Sequence, residues 1–208
     1  PGALPVTEGQ EMARIIPIIE KTRKQLYIPI SVDTYKSGVA QAALEAGADV
    51  VNDISGGRFD AQMAEVVAKA GAGYVIMHIK GEPRNMQTAP FYENVLVEVF
   101  DVLASCVEHA RKAGVQSEQM VMDPGIGFGK RLQDNYRILN KLDYFKKLGI
   151  PLLVGPSRKS FIGKLLDLPA HERVEGTIAA VTAAILRGAH IVRVHDVREI
   201  KRAVTVAD

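Results

Sequence analysis

Three short apolar runs, 28–33, 49–54 and 120–123, carry Asp33, Asn52 and Asp123 at or near their ends. A carboxylate offers two acceptor oxygens to the adjacent N–H donors of an aminopyrimidine, and an Asn offers an acceptor and donors to a mixed edge. If the three runs end around one mouth, these side chains suit a flat, nitrogen-rich heterocycle. The plainer role for an Asp or Asn in such a place is a helix N-cap, and each is open to it.

A second group is cationic. Ser157-Arg158-Lys159-Ser160 follows Gly155-Pro156 at the end of another apolar run, and Arg193 and His195 stand two apart on the last one. Residues two apart on a strand share a face, so this set could meet an anionic leaving group such as pyrophosphate. The plainer reading is a solvated basic rim.

Other motifs exclude chemistry. The stretch 125–130 reads Gly-Ile-Gly-Phe-Gly-Lys, but Pro124 occupies the first Gly position of a phosphate loop and Arg131 replaces its Ser or Thr. Its glycines instead allow backbone to approach a flat ligand. No Cys/His cluster has metal-ligand spacing. His78 reads as a hydrogen-bonded wall residue, while His109, His171 and His190 read as structural or exposed. The lone Cys106 sits in an apolar helical pattern and cannot form an internal disulfide.

The side chains need a scaffold, and 208 residues with 47% hydrophobic and 24% charged residues can build one soluble domain, 1–208. A net charge of +2, with no basic tract, argues against a nucleic-acid partner. No apolar run reaches bilayer-spanning length, which argues against a membrane partner, and a reducing cytoplasm fits the single cysteine.

Strand-like runs at 28–33, 49–54, 74–78, 120–123, 151–155 and 191–195 alternate with helical spacing. Helices are expected near 39–46, 63–70, 92–113, 135–147 and 174–187, with another after 195. Thr7 and Gln10 have capping-box spacing before a further helix, which Pro17 should kink. Regular alternation with apolar strands implies an α/β fold with a parallel sheet. Nearly every strand ends in polar residues. An open sheet draws its site from one switch point, whereas a (β/α)8 TIM barrel gathers all strand ends at one mouth. The barrel is therefore expected, with about six of its eight strands present. The opening Pro1-Gly2 reads as the tail of a turn, so two strands are expected to precede this sequence.

Several blocks resemble dihydropteroate synthases: Ser31-Val32-Asp33-Thr34 with Lys36; Val51-Asn52-Asp53-Ile54-Ser55-Gly56-Gly57; Met77-His78 with Gly81, Pro83 and Met86-Gln87. So do Asp123-Pro124-Gly125-Ile126-Gly127-Phe128-Gly129-Lys130, Gly155-Pro156-Ser157-Arg158-Lys159-Ser160-Phe161-Ile162-Gly163 and Arg193-Val194-His195-Asp196. The blocks fall in order along nearly the whole chain.

The resemblance implies condensation of 6-hydroxymethyl-7,8-dihydropterin pyrophosphate with p-aminobenzoate, giving 7,8-dihydropteroate and pyrophosphate for folate biosynthesis. It implies that Asp33, Asn52, Asp123 and Lys159 hold the pterin, with Ile54, Met77, Phe128 and Gly155 lining its pocket. Asp33, Asp123 and Lys159 are the expected catalytic groups. Arg193 and His195 correspond to the pyrophosphate-binding pair, while Ser157, Lys159, Phe128, Pro1 and Gly2 lie on the side of p-aminobenzoate or a sulfonamide in its place. Mg2+ is the implied cofactor, a homodimer the implied assembly and the cytoplasm the implied compartment. The family's first strand and its loop, with an Asn for Mg2+, are absent from this sequence, so most of a pterin pocket is expected while the activity of the chain as written stays open. A pterin-binding domain of a corrinoid-dependent methyltransferase, or a non-catalytic pterin-binding paralogue, would share part of the pattern.

Overall fold

The computed structural model describes residues 4–208. Pro1 and Gly2, assigned above to the p-aminobenzoate side, lie outside the described residues. The chain divides into two compact units. One comprises 4–78 and Val102–Val121, the other Ile79–Asp101 and Met122–Asp208.

In the first unit, α1 (Glu8–Arg23) opens with the expected capping box. Thr7 Oγ1 accepts from Gln10 N at 3.3 Å and Gln10 Oε1 accepts from Thr7 N at 3.1 Å, satisfying two helix-end donors. The helix runs through Pro17, which is exposed. At its far end Arg23 donates to Gly47 O from Nε (2.9 Å) and Nη2 (2.7 Å) and pairs with Asp49, which also accepts from Ile30 N at 2.7 Å. One arginine thus fixes the helix to the starts of the next two strands.

Those strands are β1 (Ser31–Asp33) and β2 (Val50–Asp53), joined through α2 (Ser37–Glu45); α3 (Met63–Ala70) then leads to β3 (Gly73–Met77). β1 pairs in parallel with β2, Asp33 opposite Asn52, and β2 with β3, Asp53 opposite Ile76. Helical and strand periodicities meet in the core: Val39, Ala43, Val51, Met63, Val67 and Ile76 have essentially no exposed surface. Each large aliphatic side chain so buried contributes about 1.5–3 kcal/mol. Gly71 ends α3 in a left-handed conformation, the usual reason for glycine there.

The chain passes between units along α4 (Val95–Lys112) and β4 (Met120–Asp123). Val95, Val99, Leu103, Cys106, Val107 and Ala110 form the buried stripe of α4. The strand order in the first sheet is β1-β2-β3-β4.

In the second unit, Met122 bridges in parallel to Leu152. The remaining elements are α5 (Leu132–Asn140), β5 (Leu153–Val154), α6 (Ser160–Leu166), α7 (Val174–Leu186), β6 (Ile191–Val192) and α8 (Val197–Ala207). β5 pairs in parallel with β6. The single helix expected over 135–147 is instead α5 followed by a 3-10 segment, Leu142–Leu148. Lys141, with φ −123° and ψ 34°, breaks the helix between them. The last strand is shorter than its apolar pattern, so Arg193 and His195 lie just beyond β6, although Arg193 N still donates to Val154 O at 3.0 Å.

Candidate active site

In the first unit, the register of β1 and β2 sets Asp33 beside Asn52, and Asn52 Nδ2 donates to Asp33 Oδ1 at 2.8 Å. Only the amide nitrogen can donate to a carboxylate, so the amide orientation follows and Asn52 Oδ1 faces elsewhere. That oxygen is buried without a partner. A buried acceptor left unpaired costs about 1–3 kcal/mol, which a ligand N–H would recover. Ile54 is half-buried just past β2, and Met77 is buried at the end of β3. Neither Asp33 nor Asn52 caps a helix: Lys36 precedes α2 and Gln62 precedes α3.

The neighbouring Asp53, part of the same polar strand end, has a different job. Its buried carboxylate accepts from Ser55 N (2.8 Å), Ser55 Oγ (2.7 Å), Gly57 N (2.6 Å) and Tyr74 OH (3.1 Å). It organises the turn after β2, and burial together with its charge pushes the Tyr74 phenol far up. His78 is buried, and Cys106 is a buried free thiol pushed up by that burial. His190 Nδ1 accepts from Leu152 N at 3.1 Å, a structural role, and His109 and His171 are exposed.

In the second unit, Asp123 closes β4, is buried, and accepts from Gly125 N at 2.7 Å. It is no cap either, since Arg131 precedes α5. Burial pushes its carboxyl up, against the opposing pull of Lys159, the Gly125 N–H, Lys130 and Arg193. Burial likewise draws Lys159 down from 10.5 to about 8, with Asp123 pulling it back up and Arg193 pushing it further down. Asp123 and Lys159 are therefore electrostatically coupled, burial disfavouring the charged form of each while the opposite charge of the other favours it.

Lys159 Nζ donates to Ile126 O and lies 4.4 Å from the Phe128 ring centroid, a cation over an aromatic face. Its aliphatic stem crosses Gly127, where a Cβ would stand 2.9 Å from Lys159 Cδ. Gly127 is also held at both backbone groups, donating to Asn135 Oδ1 and accepting from Gln87 Nε2, each at 2.6 Å. Sequence reading gave no role to Asn135, and placed Gln87 in a family-like block without assigning it one. The available signal for Asn135 was an Asn on the inward face of a helix, since it is buried in α5.

The glycines of this loop serve close passage of backbone. At Gly129, with φ +62°, a Cβ would stand 2.2 Å from Lys80 O. Gly129→Ala is expected to destabilise the protein by more than about 2 kcal/mol, because the obstacle is backbone and the conformation is left-handed. Urea unfolding would measure this, and an unchanged midpoint would contradict the reading.

Ser157 is buried, and its Oγ lies 2.9 Å from His195 Nδ1 while accepting from His195 N at 3.1 Å. Arg158 pairs with Asp196. The solvated-rim reading thus fails for Ser157, Arg158 and Lys159. Arg193 and His195 are exposed, and His195 is tied to Ser157 through both its ring and its backbone. Gly155 has room for a Cβ, whose nearest neighbour would be 3.8 Å away, so packing alone does not demand glycine there.

Among the described residues no group of three or more His, Cys, Asp or Glu side chains could hold a metal ion. Nor, among them, is any helix long and apolar enough to cross a membrane.

Residues 1–195 match the family model described as pterin binding enzyme. A dihydropteroate synthase from Synechocystis is 49% identical over all of this chain and 72% of its own length. The chain belongs to the pterin-binding enzyme family, among the dihydropteroate synthases. The crystal structure of the Clostridium difficile dihydropteroate synthase, in the presence of pteroic acid, matches with a TM-score of 0.94 and 42% identity over 100% of this chain and 77% of that one. The Xanthomonas albilineans dihydropteroate synthase, with 4-aminobenzoic acid, matches with a TM-score of 0.93 and 39% identity over 99% and 73%. The chain therefore has the α/β barrel fold of the dihydropteroate synthases, as expected from its strand ends.

Proposed function

We propose that this protein condenses 6-hydroxymethyl-7,8-dihydropterin pyrophosphate with p-aminobenzoate, as its membership of the dihydropteroate synthases implies. The observation that carries the pterin reading is the buried, unpartnered Asn52 Oδ1 beside a carboxylate. It supplies an acceptor and a neighbouring anion for an aminopyrimidine edge. Asp123 and Lys159 are proposed to hold the pterin too, with Ile54, Met77, Phe128 and Gly155 lining its pocket.

In the proposed reaction the bond between the hydroxymethyl carbon and the pyrophosphate oxygen breaks, the electron pair leaving with pyrophosphate. The cation is delocalised into the pterin. The arylamine nitrogen then bonds to that carbon and loses a proton. Asp33 and Asp123 stabilise the positive charge, and Arg193 and His195 the departing anion. One preorganised group of this kind contributes about 10²–10³-fold in rate.

The Phe128 face, the Lys159 ammonium above it and the nearby Ser157 hydroxyl are proposed to receive p-aminobenzoate or a sulfonamide; a flat ring and a carboxylate suit an aromatic face and a cation. Pro1 and Gly2 share that assignment. Mg2+ is bound elsewhere chiefly through substrate phosphates and retained waters. It is proposed to arrive on the pyrophosphate and to supply charge neutralisation there, with no ligand assigned from the described residues. The protein is further proposed to be a cytoplasmic homodimer; the exposed Leu186 on α7 and Val206 on α8 support an apolar face for a second copy.

The test is pyrophosphate release from the pterin substrate with Mg2+. Release that requires p-aminobenzoate supports the synthase. Pterin binding without release would favour a non-catalytic paralogue, and dependence on a cobalamin protein would favour the methyltransferase.

A further inference from the structure

Arg158 stands between two residues of the proposed site, Ser157 and Lys159, and its backbone is left-handed, with φ +56°. An arginine rarely adopts this conformation, and where one does, the surroundings must impose it. Here they hold its N, O, Nε and Nη2. Arg158 N donates to Thr177 Oγ1 at 3.1 Å, and Arg158 O accepts from Arg173 Nη1 at 2.8 Å. The guanidinium grips both oxygens of Asp196, Nε to Oδ2 at 2.9 Å and Nη2 to Oδ1 more closely. Thr177 is buried and its hydroxyl donates to Arg173 O at 2.8 Å, so the support is continuous. Arg173 in turn fills the space above Gly163, where a Cβ would lie 2.1 Å from its guanidinium.

Asp196 departs from its local rule as well. It is the N-cap residue of α8, where an Asp side chain normally accepts from the first helical N–H groups, but it makes no capping bond. Both its oxygens go to Arg158 instead. Two local preferences are therefore given up at the two ends of one ion pair. Such paired departures mark a functional constraint.

The consequence lies one residue away on each side. The residue before Arg158 is Ser157 and the residue before Asp196 is His195, and these two are bonded in parallel with the ion pair. Ser157 Oγ accepts from His195 N and has no other acceptor for its proton among the described residues except His195 Nδ1. With the Ser157 hydroxyl donating to Nδ1, Nδ1 is the acceptor and the neutral ring carries its hydrogen on Nε2, leaving Nε2 as the donor. On the other side Lys159 is set on Ile126 O and Phe128.

We infer that Arg158 and Asp196 are a positioning pair, which ties the loop after β5 to the loop after β6 and thereby fixes the His195 tautomer and the place of Lys159. Its consequence for ligand affinity rests on the pyrophosphate role proposed above for His195, whereas its consequence for the ring does not.

The test separates the two. Nitrogen-15 spectra of the His195 ring in the ligand-free protein report the tautomer, and calorimetry with inorganic pyrophosphate and Mg2+ reports affinity. Arg158→Lys and Asp196→Asn are each expected to mix the two tautomers and weaken pyrophosphate on the order of tenfold. The double variant is expected to be no worse than the weaker single one, because either change breaks the same link. Arg158→Gly keeps the left-handed backbone at little cost but removes the guanidinium, so it is expected to mix the tautomers too. A wild-type ring spectrum in folded Arg158→Gly and Asp196→Asn would overturn the inference. If His195→Gln binds pyrophosphate normally while the ring spectra change in the pair variants, the pyrophosphate role fails and the positioning role stands.

Discussion

Asp123→Asn is expected to lower turnover about a thousandfold without lowering the unfolding midpoint. Asparagine has nearly the shape of the carboxylate and its oxygen can still accept from Gly125 N, so the turn after β4 survives. The negative charge does not. The folded carboxyl sits above its ordinary value of 3.8 because of burial. A raised folded value means that ionisation opposes folding as pH rises above that ordinary range, so the neutral amide removes a cost present at neutral pH. Stability should hold or rise while activity falls. A second readout follows from the same coupling: Lys159, at about 8 with Asp123 pulling it upward, should titrate lower still in the variant. Steady-state turnover, thermal unfolding and lysine titration by NMR check the three parts, and normal turnover would sink the assignment of Asp123.

The second large effect is expected at Asn52. Asn52→Leu should reduce affinity for a 6-hydroxymethylpterin by at least about a hundredfold. A site built to hydrogen-bond a ring loses far more than a site that merely contacts it, because the ligand donor is left unpaired. The same change removes the buried unpartnered Oδ1, so the folded protein should be no less stable. Asp33 would lose the Nδ2 donor, but it is exposed and water can take that place. Loss of binding together with loss of fold would point to a structural Asn. Retained affinity would mean that Oδ1 does not meet the ligand.

Much of this was legible because strand ends announce themselves in an α/β sequence. Apolar runs stop where the chain must turn polar, so 120–123 reads correctly as β4 to the residue. Helices stop at Gly71 for a reason written in one residue type. The break at Lys141 was not legible, since no glycine or proline marks it. Nor was the short β6, whose apolar pattern continues through Val194 after the paired residues end at Val192.

At the site, residue types foretold chemistry better than partners. Asp33, Asn52 and Asp123 all proved not to be helix caps. Asn52 and Asp53 are adjacent and equally polar, yet one keeps an unpaired acceptor and the other spends its carboxylate on a turn. That distinction depends on Tyr74 and Gly57, which only folding brings to Asp53. The hold of Asp196 on Arg158 spans 38 positions and breaks a capping preference, so local rules point away from it.

The central claim is pterin recognition for condensation with p-aminobenzoate, and its most direct test is a calorimetric titration with 6-hydroxymethylpterin pyrophosphate and Mg2+, with Asp123→Asn as the control. The account predicts one saturable site in the wild-type protein and greatly weakened binding in the variant. A folded wild-type protein that takes up no pterin, or a variant that binds it equally well, would contradict it.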